Sequence, residues 1–371
     1  MNEVIAEDAI EDTGPREFTV LYREDAAFGR YEPSDGAYIG AWLIPEMTIR
    51  EFEHETGRSH AVYVYEIVLG EEIPVSWLLH CIASVATPLF IVHPPENFED
   101  VSEIDLIIQL AQQLGAFNLP MFITFYPEGH GMMPAEYSLL FRNARNIFLT
   151  HAPMSAFVWT APAGTSQNYY PGHSAVDWVA VSLLAEWKDD GFTDVLAEFD
   201  EFYNAFHENK PIMIFPFGVS HYSRNDYTYR VNQAADEISR LYDALDSYPR
   251  VGLIVYGDAL TLLRAYSNDF SVSIESQLLN AYGNAIQNEY FLSSLERKTI
   301  ENFRWVRSAY TGYFFEDEIY ISQNTLQNEL NFFSANLIEI NENFFTEASE
   351  IDEKNIYVCY QQHVIYVDNL P

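Results

Sequence analysis

The sequence predicts an α/β fold, a (β/α)8 or TIM barrel, with a small C-terminal β-rich module. Eight continuous apolar runs recur between residues 37 and 256, and segments with helical spacing of apolar residues separate several of them. Continuous apolar runs are typical of parallel strands that are buried on both faces. Eight such strands alternating with helices are the components of a barrel. From residue 302 onwards the apolar stretches are short, aromatic and β-branched, which predicts the module.

The eight predicted strands follow one another along the chain, and a polar turn follows each apolar run. They are Ala37–Leu43, Ala61–Leu69, Thr87–His93, Pro120–Tyr126, Ser155–Trp159, Val176–Leu184, Pro211–Phe217 and Val251–Tyr256. Helical segments between several of these runs supply the crossovers that parallel strands need.

Five segments are predicted to be helical. Ile104–Ala116 has apolar residues at helical spacing, and Pro134–Phe148 begins with Pro and Glu in its first turn, which favours a helix start. The other three are Asp194–His207, Asn232–Tyr248 and Leu278–Leu295. Further along, Tyr310–Ser322 and Asn355–Val367 alternate like strands with one solvated face.

These patterns divide the chain into an acidic leader at 1–17, a barrel at 18–299 and a β-rich module at 300–371. Cys81 and Cys359 lie in apolar or aromatic surroundings and lack metal-site spacing, which indicates free buried thiols. A disulfide is the alternative that the sequence leaves open.

The charge excludes two classes of function. With 19 basic and 55 acidic side chains the formal charge is −36, which would repel the phosphates of nucleic acid and an anionic membrane surface. No stretch approaches the apolar length of a membrane-spanning helix, so membrane insertion is not expected. The first residues are acidic and polar where a signal peptide is basic and then apolar, so we expect synthesis in the cytoplasm.

Candidate site residues follow the strands, because active sites of such barrels lie at the carboxyl ends of the strands. They are Tyr126, Glu128 and His130 at the fourth run, Trp159, Tyr169, Tyr170 and His173 at the fifth, His221 and Tyr222 at the seventh, and Asp258 at the eighth. Aromatic rings and His around a carboxylate are typical of sugar binding, which predicts a polysaccharide or oligosaccharide partner.

Each candidate also has a structural interpretation. Glu128 is equally a solvated loop carboxylate, and Tyr169–Gly172 is equally a rigid turn. His130 and His173 lack the spacing of a metal site, and no nucleotide or hydrolase motif occurs, so no metal or other cofactor is expected.

Five segments follow one another as a set of motifs on the predicted strands and the turns after them. They are GAYIGAW (Gly36–Trp42), FITFYPEGHGMMPAEYSLLFRNARNIF (Phe122–Phe148), AFVWTAPAGTSQNYYPGHSAVDWVAVS (Ala156–Ser182), KPIMIFPFGVSHYSR (Lys210–Arg224) and YPRVGLIVYGD (Tyr248–Asp258). In this order they resemble glycoside hydrolase family 26, the β-mannanase-like barrels, and especially its Gram-positive, spore-former-type members. The resemblance spans roughly residues 36–300. It implies retaining hydrolysis, in which two carboxyl groups lie about 5–5.5 Å apart.

The resemblance also implies that this chemistry is degenerate. Glu128 matches the family's acid/base, but Pro216 stands where the nucleophilic Glu belongs. Pro127 and His173 also depart from the family's pattern, as do Leu183 and Leu184. We therefore expect a catalytically impaired barrel that acts as a glycan-binding or structural surface protein. Deposition on a cell or spore surface is implied by the resemblance alone.

Two alternatives stay open. An active β-glycan glycosidase would pair Glu128 with a relocated carboxylate, Glu66 or Asp258, because an inverting pair tolerates a separation of about 6.5–9.5 Å. A purely structural subunit would self-associate in a surface layer, spore layer or filament, which the 25 Tyr and 26 Phe residues motivate.

Overall fold

The computed structural model describes residues 29–33, 35–95, 102–117, 119–127, 131–161, 167–188, 191–223, 226–261 and 268–295, together with four short strands between residues 313 and 367. Eight parallel strands form one sheet: β1 (Ala37–Trp42), β2 (Val62–Val68), β3 (Thr87–His93), β4 (Met121–Phe125), β5 (Ser155–Thr160), β6 (Trp178–Ala185), β7 (Ile212–Val219) and β8 (Val251–Gly257). Each strand pairs with the next, and β8 also pairs with β1, so the sheet closes into a barrel. The predicted fold class is therefore confirmed.

Seven α-helices lie on the outside of the barrel in the described part of the chain: α1 (Ile49–Thr56), α2 (Val75–Ala83), α3 (Glu103–Gly115), α4 (Pro134–His151), α5 (Val195–Phe206), α6 (Val231–Ala244) and α7 (Ser276–Ala285). The sequence does not predict α1 and α2, because eight and nine residues contain too few turns for a clear helical period. A capping box between Thr48 and Glu51 starts α1.

The predicted helix Leu278–Leu295 is wrong in its second half. α7 ends at Ala285, and Phe291–Leu292 instead pairs with β1 as a short parallel strand. The side chain of Asn288 accepts a hydrogen bond from the backbone N–H of Tyr290, and such a local bond competes with helix continuation.

Alternation along the strands sends side chains either into the lumen of the barrel or outward onto the helices. The lumen is filled by Tyr38, Val62, Val64, Leu89, Ile91, Phe122, Ala156, Val158, Trp178, Ala180, Met213, Phe215, Leu253 and Val255. A second buried layer, which includes Phe90 and Phe157, packs between the sheet and the helices. The lumen is therefore a packed core and not a pore, and sites of this fold lie at the ends of the strands.

The amino end of the barrel is closed by residues 29–33. Tyr31 packs edge-on against Phe122 with ring centroids 6.0 Å apart. Glu32 is nearly buried and pairs with Arg250, with 2.7 Å between Oε1 and Nε. The carboxyl ends of the strands therefore form the accessible mouth of the barrel, where sites of this fold lie.

Gly115, the last residue of α3, gives the first testable prediction. A Cβ at this position would lie 1.8 Å from the carbonyl oxygen of His151 in α4, and backbone cannot move away cheaply. We expect Gly115→Ala to lower the free energy of unfolding by about 3 kcal/mol, measured by urea denaturation. Gly191→Ala is the control, because nothing lies within 4 Å of its Cβ position. Equal stability of the two variants would contradict this packing.

Two antiparallel hairpins lie in the C-terminal part. Tyr313–Phe315 pairs with Glu318–Tyr320, and Ile356–Tyr360 pairs with His363–Val367. These strands fall within the two segments that the sequence predicts as strands. The division at residue 300 stays a prediction, and the acidic leader at 1–17 lies outside the described residues. Among the described helices, none has the length and apolar character needed to span a bilayer.

Candidate functional site

Every second side chain of a barrel strand points into the lumen, and in β2 and β3 the last of these inward side chains are polar and lie at the mouth. Val62 and Val64 point into the lumen, so Glu66 continues this series at the carboxyl end of β2. Leu89 and Ile91 are likewise followed by His93 at the end of β3. Only Glu66 is among the residues that the sequence suggests. His93 is missed, although it ends a predicted strand two residues after an inward position.

Glu66 and His93 form a hydrogen-bonded pair. Nε2 of His93 lies 3.0 Å from Oε1 of Glu66, and the side chains are 28% and 34% exposed. The pair therefore keeps hydrogen-bonding capacity at the mouth, where it can contact a polar ligand.

Two hydroxyls continue this polar side of the mouth. Thr124 in β4 and Thr160 in β5 are 1% and 9% exposed, and their Oγ1 atoms have no hydrogen-bond partner among the described residues. Both lie two residues after lumen-facing positions, Phe122 and Val158. Buried hydroxyls without partners are uncommon, and one explanation is that a ligand satisfies them. The candidates Glu128 and His130 follow β4 but lie outside the described residues.

On the opposite side of the mouth, strands β6, β7 and β8 carry no carboxylate. Pro216 lies near the end of β7, and Gly257 is the last residue of β8. The two are close neighbours, because a Cβ added to Gly257 would lie 3.1 Å from the Cβ of Pro216. Trp42 at the end of β1 packs against Phe215, with 6.0 Å between the ring centroids. From residue 212 to residue 219, β7 carries no carboxylate.

Asp258 follows β8 but does not face the mouth. It is 0% exposed, and its oxygens accept hydrogen bonds from the N–H of Val272 at 2.7 Å and from the N–H and hydroxyl of Ser273 at 2.9 and 2.6 Å. Burial raises the pKa of Asp258, although these hydrogen bonds act in the opposite direction. The carboxylate therefore anchors residues 272–273 to the end of the barrel.

The aromatic residues after β5 lie on the outside of the wall. Trp159 is 0% exposed and packs against Tyr170 and Phe206, with ring centroids 5.0 and 5.7 Å away. The hydroxyl of Tyr169 donates to the backbone oxygen of Met132. These rings cover β5 and β6, whose described connection contains only the 3-10 turn Gln167–Tyr169 and no α-helix.

The same connection carries His173 away from the mouth. Lys210, just before β7, donates a hydrogen bond from Nζ to the backbone oxygen of His173 at 2.8 Å, so His173 lies near the amino ends of the strands. The side chain of His173 contacts Tyr170 through Nδ1 at 3.1 Å. The structure thus brings Trp159, Tyr170 and His173 together outside the barrel wall, which favours the rigid-turn interpretation. Tyr169 instead contacts Met132 in the connection between β4 and α4.

Tyr126, directly after β4, is also directed outward. Its side chain is buried, stacks on Phe125 with 4.2 Å between centroids, and donates from its hydroxyl to Oε1 of Glu103 in α3 at 2.8 Å. Burial and this carboxylate raise the pKa of Tyr126. Its φ of 50° lies in the left-handed region, which is uncommon for Tyr.

His221 and Tyr222 reach the carboxyl face, as expected for residues after β7. His221 is 3% exposed, and its Nε2 lies 3.5 Å from Oδ2 of Asp269. Burial lowers the pKa of His221, whereas the charge of Asp269 acts to raise it. The ring of Tyr222 packs on Tyr229, 5.0 Å away. Within the described ranges, no three His, Cys, Asp or Glu side chains converge as a metal site.

Comparison with solved structures yields two informative likenesses. A modular endo-β-1,4-mannanase from Cellulomonas fimi, described as a glycoside hydrolase family 26 enzyme, superposes with a TM-score of 0.53 at 15% identity over 74% of this chain and 76% of its own. The likeness shows the fold. An engineered protein matches with a TM-score of 0.52 at 16% identity over 69% of this chain and 70% of its own. No family model and no curated protein matches the sequence.

Proposed function

We propose that this chain is a glycan-binding barrel of the family 26 glycoside hydrolase type in which retaining hydrolysis is lost. The observation that carries the proposal is the absence of a carboxylate from β7 and β8, which present Pro216 and Gly257 at the mouth. Retaining hydrolysis needs two carboxyl groups about 5–5.5 Å apart. Asp258, the nearest carboxylate along β8, is buried with both oxygens hydrogen-bonded, so it is unsuited to replace the nucleophile.

The rest of the mouth suits a sugar. Glu66 and His93 offer a charged acceptor and a ring nitrogen to hydroxyl groups, and charge-assisted hydrogen bonds are the strong ones. Trp42 adds an aromatic surface. The fold likeness to a β-mannanase makes β-1,4-linked mannans the first ligands to test.

Replacement of Glu66 tests binding. We expect Glu66→Gln to weaken binding of β-manno- or β-gluco-hexaose about tenfold, because a charged acceptor is replaced by a neutral amide. Isothermal titration calorimetry measures this affinity. Glu72→Gln is the matched control, since Glu72 is an exposed carboxylate on the loop after β2. Equal affinity of the two variants would remove Glu66 from the site.

Hydrolysis is tested separately by reducing-end release from β-mannans, β-glucans and mixed-linkage glucans. The proposal expects no release by the wild type. Release that disappears in Glu128→Gln would show that Glu128 is a working acid/base and would overturn the lost-chemistry proposal.

One observation favours an active enzyme as the second candidate. Glu66 is a partly exposed carboxylate that faces the lumen, as a relocated catalytic carboxylate would. In that case Glu66→Gln would lower the release rate by orders of magnitude, and binding of the uncleaved oligosaccharide would change little. The binding and release assays together therefore separate the two candidates.

A further inference from the structure

Two short hairpins extend the carboxyl face of the barrel beside the mouth. The first hairpin pairs Trp187–Lys188 with Gly191–Phe192 directly after β6. The second hairpin pairs Tyr222–Ser223 with Thr228–Tyr229 directly after β7. The two are adjacent, because the guanidinium of Arg230 at the end of the second hairpin lies 4.3 Å from the indole centroid of Trp187.

The second hairpin presents two exposed aromatic rings. Tyr227 and Tyr229 are 74% and 69% exposed, more than any other large apolar side chain among the described residues. Two such exposed rings on one hairpin indicate an interaction surface, because exposed apolar patches mark interaction sites. A tyrosine also combines a flat apolar face with a polar hydroxyl.

The ring of Tyr229 is held in position by the residues beneath it. The ring of Tyr229 stacks on buried His221, with 5.8 Å between centroids and 30° between planes, and contacts Tyr222 at 5.0 Å. A surface that is ordered before binding loses less conformational entropy when a ligand arrives.

The turn that carries Tyr227 is also tied down. The carboxylate of Asp226 accepts hydrogen bonds from the hydroxyl of Thr228, at 2.7 Å, and from the guanidinium of Arg230. Tyr227 itself has a φ of 59°, a conformation that costs energy for a residue with a side chain. Strain retained at an exposed aromatic residue points to a use for that residue.

We infer that Tyr227 and Tyr229 form a stacking platform for a neutral glycan chain that extends outward from the barrel mouth. The inference rests on the proposed function. The platform belongs to the carboxyl face of the barrel, since the second hairpin directly follows β7, whose Pro216 lines the mouth. The formal charge of −36 disfavours a polyanionic glycan and a second copy of this chain as occupants. A neutral chain of pyranose rings can stack on the flat faces of the two tyrosine rings and is not repelled by the negative charge of the protein.

The test compares two lengths of one sugar. Calorimetry would measure binding of the di- and hexasaccharides of the β-1,4-mannan and β-1,4-glucan series. We expect the wild type to bind a hexasaccharide more tightly than the disaccharide. Tyr227→Ala and Tyr229→Ala should each weaken hexasaccharide binding about fivefold and leave disaccharide binding unchanged. Tyr227→Phe and Tyr229→Phe should retain the affinity, because they keep the ring. Leu139→Ala, an exposed apolar change on α4, is the control.

The outcomes separate the failure of this inference from the failure of the proposed function. If the wild type binds neither length in either series, the glycan-binding function fails and the platform fails with it. If the wild type prefers the longer sugar and both alanine variants keep that preference, only the platform is wrong. Sedimentation of the wild type as a dimer and of Tyr229→Ala as a monomer would assign the surface to self-association instead.

Discussion

Replacement of Asp258 by Ala is expected to lower the free energy of unfolding by about 4 kcal/mol. The side chain is fully buried, and its oxygens accept hydrogen bonds from the N–H groups of Val272 and Ser273 and from the Ser273 hydroxyl. Each donor left without a partner in the interior costs about 1–3 kcal/mol, and part of this cost is relieved by local rearrangement. Urea unfolding followed by tryptophan fluorescence measures the change.

A structural and a catalytic role of Asp258 predict opposite results. Glu66→Gln is the comparison, because it alters a partly exposed pair whose loss should cost at most about 1 kcal/mol. If Asp258→Ala unfolds at the wild-type urea concentration and instead loses glycan binding or cleavage, the carboxylate belongs to the site. Asp258 would then again be a candidate for the second catalytic carboxylate of an active glycosidase.

The barrel could be predicted from the sequence because strands buried on both faces leave continuous apolar runs. The same property hides which side chains face the lumen. In β5, Ala156 and Val158 point inward and Trp159 outward, yet all three are apolar and nothing in the run marks the difference. Its position along the chain makes Trp159 a site candidate, but alternation along the strand directs its side chain outward, toward the helices.

Loops limit prediction in a second way. The connection after β5 returns to the amino end, so a residue that follows a strand in sequence, such as His173, lies far from the end of that strand. Register shifts between β6 and β7 and between β7 and β8 likewise change which residues reach the mouth near Pro216. Glu66 and His93 form a pair because of the register between β2 and β3, which the sequence does not show.

The second large effect concerns His60, which lies outside the site and makes stability depend on pH. His60 is 0% exposed, its Nε2 lies 2.7 Å from the hydroxyl of Tyr282, and its ring packs on Phe52. Burial lowers the pKa of His60 to about 3, and the charge of Arg58 acts in the same direction. The folded protein therefore holds this imidazole neutral.

The sign follows from proton binding in the two states. An unfolded His binds a proton below about pH 6.5, whereas folded His60 does not until about pH 3, so stability falls as the pH drops through this window. Between pH 7 and pH 5 the loss amounts to about 2 kcal/mol. Glu53 opposes this loss of stability at low pH, because burial raises the pKa of its carboxyl group. The carboxylate accepts a hydrogen bond from the backbone N–H of His60, and a substitution of the His60 side chain leaves that bond in place.

The test compares the change in unfolding free energy between two pH values in the wild type with the same change in a His60 variant. This comparison removes the contribution of Glu53 and of the many surface carboxylates, which both proteins share. We expect the wild type to lose about 2 kcal/mol more than His60→Gln when urea unfolding is compared at pH 7 and pH 5. His54→Gln is the control, since His54 is exposed on α1. If His60→Gln loses as much stability as the wild type, His60 is protonated in the fold, and the buried neutral imidazole beside Tyr282 is wrong.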